Sequence, residues 1–228
     1  MRYAVYFTPP KDDPLAQAAS RWLGFDAFSN QEIAWSDAIP LPFDVWEKNT
    51  KTPRRYGFHG TLKAPFRLVD GASEEALCEA IERFCEARPA FDLPPFELSR
   101  LGPFFALTPT LPEKALNDLA TTVVKAFEPF RAPLTEAEIA KRNPDRLSER
   151  QRGYLQEWGY PHIFDDFRFH MTLTGPVEDN DVTIVEEALQ KWFTPVLHKP
   201  VRVVALTLFC EPEPGVPFHI VCQIPFGA

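Results

Sequence analysis

A nine-residue segment occurs twice in this chain with nearly the same letters, at residues 58–66 (FHGTLKAPF) and 169–177 (FHMTLTGPV). Both copies place Phe, His, Thr, Leu and Pro at the same positions, although the chain has only five histidines. In a β-strand, residues two apart point to the same face of the sheet. Each copy therefore predicts a strand that presents a histidine and a threonine on one face and packs apolar residues behind it.

The order of predicted elements repeats along with the motif. A motif strand, a helix and two further strands are predicted in each half, at about 57–67, 73–88, 91–100 and 103–109, and again at about 167–175, 178–193, 200–210 and 217–225. Repetition at this level indicates an internal duplication, in which each half contributes one histidine strand to a shared cleft. We therefore expect one bilobal domain over 1–228, with lobes from roughly 1–130 and 163–228.

The segments outside the repeat carry weaker signals. A first strand at about 2–8 is followed by a helix over 13–24, which Asp12 or Asp13 caps and Gly24 ends. A further helix is predicted over 112–127. Residues 25–57 are aromatic and broken by prolines, which predicts a long loop with short structured pieces. Residues 131–162 interrupt the symmetry as a helical insertion, and form either a wall or lid of the cleft or a surface excursion.

Composition limits the classes of partner. A hydrophobic content of 45% is ordinary for a soluble globular protein. The net charge of −8 disfavours binding to long nucleic acid, which needs a basic surface, but leaves room for a local basic cleft and a small anionic substrate. No apolar run approaches a signal peptide or the ~20 residues of a membrane span. The four cysteines form no C-x-x-C pair, so we expect reduced thiols in a cytoplasmic, monomeric protein.

The repeated residues suit one kind of chemistry. Cleavage of a phosphodiester needs a base to activate the nucleophile, an acid to protonate the leaving oxygen and donors for the non-bridging oxygens. His59 and His170 are candidates for acid and base, because imidazole titrates near working pH. Thr61 and Thr172 lie two residues further on and would supply hydroxyl donors to the phosphate. This scheme requires no metal and no cofactor, and no third ligand stands at the spacing of a zinc site.

Strand alternation extends the predicted cleft face. Lys63 lies four residues after His59, and Arg168 lies two residues before His170. If the alternation continues, each strand adds one cation, suited to a second phosphate or a carboxylate on the substrate. Arg54 and Arg55 are further candidate cations just upstream of the first motif. Three aromatic residues nearby either stack on a base or sugar or pack internally: Tyr56, Trp158 and Tyr160.

The paired motifs, His59-Gly-Thr61-Leu62 and His170-Met-Thr172-Leu173, resemble the hallmark of the two-histidine (2H) phosphoesterase superfamily, a duplicated H-x-[ST]-h in which h is apolar. Their flanking residues look most like a poorly characterised branch often found with bacterial phosphonate-utilisation genes. The resemblance implies an α+β fold of two pseudo-symmetric lobes with antiparallel sheets around a central cleft. It also implies that the histidines act as acid and base, and that the threonines bind the phosphate of a cyclic substrate.

Two other functions stay open at this point. A degenerate repeat would bind a nucleotide or phosphate without turnover, and some members of the superfamily act on RNA ends as phosphodiesterases or ligases. Both histidines and both threonines are present, which favours an enzyme over a binding module. The other histidines lack the motif and are expected to be surface or strand residues: His162, His198 and His219.

Overall fold

The computed structural model describes residues 1–227, in which helices and strands alternate in an α+β arrangement. The first half contains β1 (Arg2–Phe7), α1 (Pro14–Leu23), β2 (Phe25–Asp26), β3 (Gln31–Glu32), α2 (Phe43–Arg54), β4 (Gly60–Phe66), α3 (Glu74–Glu86), β5 (Phe91–Leu93), β6 (Phe96–Leu101), β7 (Phe104–Pro109) and α4 (Lys114–Ala126). The second contains α5 (Glu136–Ala140), α6 (Glu149–Trp158), β8 (Met171–Thr172), α7 (Val182–Phe193), β9 (Val201–Val203), β10 (Ala205–Glu211) and β11 (His219–Pro225).

A seven-stranded sheet runs through the middle of the molecule in the order β11-β10-β1-β4-β8-β7-β6. Every neighbouring pair is antiparallel, and the two motif strands, β4 and β8, lie side by side at the centre. The hairpin that follows one motif lies beside the other: β6–β7 adjoins β8, while β10–β11 reaches β4 through β1. A small separate sheet pairs β5 with β9, one strand from each half. The predicted α+β class and its antiparallel sheets are confirmed, and the two halves are interwoven.

Several helices begin and end where the sequence predicts. In α1, the Asp13 carboxylate accepts a hydrogen bond from the Leu15 amide at 2.8 Å, and Gly24 ends the helix in the left-handed conformation with φ of 75°. Ser73 caps α3 through the Ala76 amide. Helix α3 packs on β10 and β11, so a helix from the first half covers strands from the second. The main apolar core is built from both halves, and a smaller second cluster forms around Tyr6, Phe25 and Phe209.

Helix α2 lies within the segment that the sequence pattern predicts as a long loop. Its buried face includes Asn49, Thr50 and Pro53 as well as Trp46, so it lacks the apolar stripe that marks a helix in sequence. Both polar side chains donate within the helix, Asn49 to the Val45 carbonyl and Thr50 to the Trp46 carbonyl, each at 2.8 Å, while the amide oxygen of Asn49 is buried without a hydrogen-bond partner among residues 1–227. Hydrogen bonds from a side chain to the main-chain carbonyl one turn earlier produce no periodic pattern of apolar residues, so the sequence does not reveal this helix.

The second motif strand is much shorter than the predicted span of 167–175. Regular pairing is confined to Met171 and Thr172. Beyond them, the amides of Leu173 and Thr174 both donate to the Phe105 carbonyl, at 2.9 and 3.2 Å, which ends the ladder. The motif itself still lies in register beside its counterpart.

The insertion folds as predicted into two short helices, α5 and α6, each starting with a capping box. An ion pair joins it to β4 and the following loop, since the Arg67 guanidinium contacts the Glu138 carboxylate at 3.0 Å. Within the insertion, Arg131 donates to the Glu157 carbonyl at 3.0 Å. Among residues 1–227, no helix has the length and apolar character needed to cross a membrane.

Candidate active site

The two histidine motifs meet at a single backbone pair, in which Gly60 of β4 lies opposite Met171 of β8. The Met171 side chain is fully buried in the core, so by alternation its neighbours His170 and Thr172 project from the opposite face. By the same alternation, His59 and Thr61, which flank Gly60 in the sequence, also project from this face. Continuing the antiparallel register sets His59 opposite Thr172 and Thr61 opposite His170. The four motif side chains therefore occupy one face in a near-twofold arrangement.

The close approach of the strands requires a glycine at position 60. A Cβ placed there would lie 2.3 and 2.4 Å from ring atoms of Phe169, which is buried. Phe169 in turn packs against Phe7 and Phe96, with ring centroids 6.1 and 6.0 Å away. As predicted, the other alternate residues of both motifs are buried behind the site: Phe58, Leu62, Met171 and Leu173.

Both histidines are held in the same way. Nδ1 of His59 lies 2.9 Å from the Gly57 carbonyl oxygen, and Nδ1 of His170 lies 2.8 Å from the Arg168 carbonyl oxygen. A carbonyl oxygen only accepts, so Nδ1 carries the hydrogen and donates in each case. This leaves Nε2 of each neutral ring as an acceptor. The main-chain carbonyl two residues upstream thus orients each ring, and this contact is the same in both copies of the motif.

Burial lowers the pKa of both imidazoles. For His59, burial is the largest cause and the charge of His170 adds to it, so that its pKa falls to about 4. The His59 ring stacks on Tyr6 with centroids 3.8 Å apart and planes 16° from parallel. Burial also lowers the pKa of His170, and the charges of Arg168 and His162 act in the same direction. His59 therefore lies in the more apolar surroundings of the two.

A cavity of about 340 Å³ opens beside this face. It is lined by the motif residues Thr61 and His170 but not by His59 or Thr172. Arg168, the residues Tyr160 and His162 at the end of the insertion, and Ile163 just after it also line the cavity. Leu62, Leu101, Phe104, Asp166 and Phe167 complete the lining. The insertion is therefore a wall of the cleft, which decides between the two interpretations left open by the sequence.

Lys63 does not face the cleft, contrary to the prediction from alternation. Its side chain is buried, and its ammonium lies 2.8 Å from a carboxylate oxygen of Glu128 and 3.2 Å from the Val124 carbonyl. The cause is a bulge: Thr61 pairs with Tyr6 and Lys63 with Val5, so two steps along β4 match one step along β1. The alternation that places His59 and Thr61 together is broken before it reaches Lys63.

The upstream arginines are also used elsewhere. Arg54 donates to the Leu23 carbonyl and to Glu47, each at 2.8 Å, and Arg55 pairs with the buried Glu211. Arg168, in contrast, is exposed, lines the cavity and makes no ion pair with any of residues 1–227. It stands between this cavity and a second one of about 300 Å³ on the other side of residues 167–169.

One residue of the insertion, His162, was missed as a site residue by sequence reasoning. His162 was expected to be an ordinary surface residue, yet it lines the cavity and its ring meets that of Tyr160 edge-on, with centroids 5.6 Å apart. The guanidinium of Arg142 lies 5.0 Å from the centre of the Tyr160 ring. His162 belongs to no repeated motif, so the sequence held no signal for it. Residues 1–227 bring together no group of three or more His, Cys, Asp or Glu side chains suited to a metal ion.

Residues 61–219 match the model of a family described as a protein of unknown function, DUF1045. The chain belongs to this family. The match covers both lobes and the insertion, and includes three of the four motif side chains, Thr61, His170 and Thr172.

Two curated relatives carry the name ribose 1,5-bisphosphate phosphokinase PhnN. The protein from Janthinobacterium sp. (strain Marseille) is 42% identical over 230 residues, covering 99% of this chain and 51% of the relative. The protein from Laribacter hongkongensis (strain HLHK9) is 34% identical over 227 residues, covering 98% of this chain and 51% of the relative. The chain thus spans about half the length of the curated relatives it matches.

Among solved structures, E. coli LigT complexed with NADP+ aligns with 100% of this chain and 98% of its own, at 14% identity and a TM-score of 0.46. The site geometry described above is that of the DUF1045 chain itself. The meeting of two H-x-T-L motifs on one face is what the resemblance to the two-histidine superfamily predicts.

Proposed function

We propose that the chain is a metal-independent phosphoesterase that hydrolyses a small cyclic phosphate, with His59 and His170 as acid and base. The observation that supports this most directly is the shared face of the two motifs, with both Nδ1 atoms committed to main-chain carbonyls. Both Nε2 atoms then remain available for proton transfer, and Thr61 and Thr172 can donate to the phosphate between them.

The two histidines can carry out both proton transfers that the hydrolysis requires. The neutral histidine takes a proton from water as the water oxygen bonds to phosphorus, and the protonated histidine gives its proton to the ester oxygen as the bond from phosphorus to that oxygen breaks. A cyclic diester becomes a monoester with a free hydroxyl. One water is consumed, and before the next cycle the base releases its proton to solvent and the acid takes one up, which restores both starting protonation states.

We assign His59 as the base. Its pKa of about 4 keeps it neutral over the working range of most enzymes, and the Tyr6 ring shields it on one side. His170 stands nearer the cationic wall and lines the cavity, where an anionic substrate would favour its protonated form. The water would then approach from the His59 side, and the leaving oxygen with the rest of the substrate would lie toward His170.

Cleft size and charge support a small substrate. The cavity of about 340 Å³ is at the low end of the ~300–1,000 Å³ common for small-molecule sites. A net charge of −8 would repel an extended polyanion. An RNA end or a purely binding role is therefore less well supported than turnover of a small ester.

The names of the relatives suggest which ester. This chain contains no Gly-x-x-x-x-Gly-Lys-[Ser/Thr] loop of the kind that holds nucleotide phosphates in many kinases. We therefore place the kinase activity named for the relatives in the half that this chain does not match. We propose that the product of the phosphoesterase is the substrate of that kinase. Opening a ribose 1,2-cyclic phosphate that bears a 5-phosphate gives ribose 1,5-bisphosphate, the compound in the relatives' name. A role in phosphonate metabolism is part of the same proposal.

The histidine assignment predicts a large and specific loss of activity. His59→Ala and His170→Ala should each lower kcat by about 10²–10⁴-fold, the range of general acid–base catalysis. His198→Ala removes an exposed imidazole outside the cleft and serves as the control. Steady-state hydrolysis of the 5-phosphorylated ribose 1,2-cyclic phosphate measures the effect. Unimpaired turnover by either motif variant, in protein with unchanged circular dichroism, would refute the assignment.

A further inference from the structure

We propose that His162 and Arg168 form a second anion-binding subsite, and that this subsite selects cyclic phosphates carrying an additional phosphate. The proposal rests on the proposed phosphoesterase function and assigns a specificity role to the end of the insertion. Both residues line the same cavity as His170.

Their place beside the reacting group follows from the chain path. Residues 160–170 run from the end of α6 through a 3-10 turn at Phe164–Asp166 to the second motif, so His162 and Arg168 flank the turn and end close to His170. The pKa of His170 is lowered chiefly by burial, and its electrostatic interactions with Arg168 and His162 act in the same direction, which is consistent with that proximity. A phosphate bound between them would stand a short distance from the reacting phosphate.

The charge of Arg168 is available to a ligand. It forms no ion pair with any of residues 1–227, and its side chain is exposed. Asp166, the carboxylate in the cavity lining, accepts two hydrogen bonds from Arg150, each 2.9 Å long. Its charge is therefore compensated, and it does not repel an anion as a lone carboxylate would. His162 is exposed and steadied by the edge of the Tyr160 ring.

The other cations near the motifs are unsuited to this task. Lys63 is buried against Glu128, and Arg54 and Arg55 are paired with Glu47 and Glu211. The surroundings of His59 are aromatic, with Tyr6, Tyr56 and Phe209 around its ring. The cleft is thus asymmetric: apolar on the side of the proposed base and cationic on the side of the proposed acid. A second phosphate on the leaving part of the substrate fits the cationic side.

The test compares two substrates that differ in one phosphate, ribose 1,2-cyclic phosphate with and without a 5-phosphate. His162→Gln and Arg168→Gln should each raise KM for the 5-phosphorylated substrate about 10-fold, as expected when a charge-assisted hydrogen bond is lost. KM for the substrate without the 5-phosphate should change less than 2-fold. Because the main-chain carbonyl of Arg168 orients His170, exchanging the side chain leaves that hydrogen bond in place.

Matched controls and a charge-retaining variant sharpen the result. His198→Gln and Arg100→Gln remove equivalent exposed side chains outside the cavity and should leave both KM values unchanged. Arg168→Lys should recover part of the affinity. Equal effects of the cleft variants on both substrates would overturn the subsite while leaving the phosphoesterase intact. An effect of Arg168→Gln alone would remove His162 from it and overturn the two-residue subsite. Failure of the wild-type chain to open either substrate would instead contradict the proposed function.

Discussion

At the scale of single residues, the chemistry depends on how the two imidazoles are held. Each histidine donates from Nδ1 to a carbonyl two residues upstream, so the backbone of the motif fixes the tautomer without a partner carboxylate. In the absence of such a carboxylate, burial dominates and the pKa of both rings falls. A site of this kind works with weakly basic imidazoles.

Because the pKa values of both histidines are lowered, we expect the pH dependence of hydrolysis to be shifted toward acidic pH. In the free enzyme the base must be neutral, which for His59 holds above about pH 4. The acid must be protonated, and the lowered pKa of His170 moves its deprotonation below the ordinary value of about 6.5. The kcat/KM for hydrolysis should therefore be bell-shaped with its maximum below pH 6.5. An initial-rate series at low substrate concentration measures it, and a maximum above pH 7.5 would contradict the pKa directions.

The sequence predicts the shared face of the proposed catalytic pair but not the whole lining of the cleft. His59, Thr61, His170 and Thr172 were predictable because a repeated frame and a two-residue period specify a shared face. The same rule failed at Lys63, where a bulge against β1 resets the alternation. His162 stands outside the repeat, and only the long-range contacts that fasten the insertion bring it to the cavity.

At the scale of elements, the site depends on how closely β4 and β8 approach. The pair Gly60–Met171 carries the contact between the motif strands, and the Phe169 ring fills the space where a side chain at position 60 would lie. The order of elements was predictable from the duplicated pattern. Two features were not: α2 has a polar buried face, and β8 ends after two residues because its amides converge on one carbonyl.

A methyl group at position 60 should therefore be costly. Gly60→Ala would clash with the buried Phe169 ring, and overpacking of this kind costs about 1–3 kcal/mol of unfolding free energy. Activity should fall with it, because the two motifs are pushed apart. Gly153→Ala is the control: this glycine lies inside α6 with open space around it, so the change should be neutral or stabilising by up to about 1 kcal/mol.

Urea unfolding of both variants measures these free energies. Adding Phe169→Leu to Gly60→Ala tests the cause, since a smaller side chain relieves the clash and the double variant should be more stable than the sum of the single changes predicts. Strict additivity would show that the Phe169 ring is not what excludes a side chain at position 60.

At the scale of the whole molecule, the fold joins two copies of one unit so that neither makes a site alone. Each half's hairpin lies beside the other half's motif strand or is linked to it through β1, and β5 pairs with β9 across the halves. The insertion then adds to a symmetric pair of motifs an asymmetric wall of Tyr160 and His162. In the proposed function, the duplicated motifs supply acid and base, and the residues around the end of the insertion supply selectivity between related esters.

The most direct test of this account is hydrolysis by the purified full chain in excess chelator and water enriched in oxygen-18. With 5-phosphorylated ribose 1,2-cyclic phosphate, we expect ribose 1,5-bisphosphate containing one labelled oxygen in the newly opened phosphate, detected by its phosphorus-31 isotope shift. We also expect turnover to exceed that of an RNA oligonucleotide ending in a 2′,3′-cyclic phosphate. Activity abolished by chelation and restored by a divalent metal, or no opening of any small cyclic phosphate, would contradict a metal-independent two-histidine phosphoesterase.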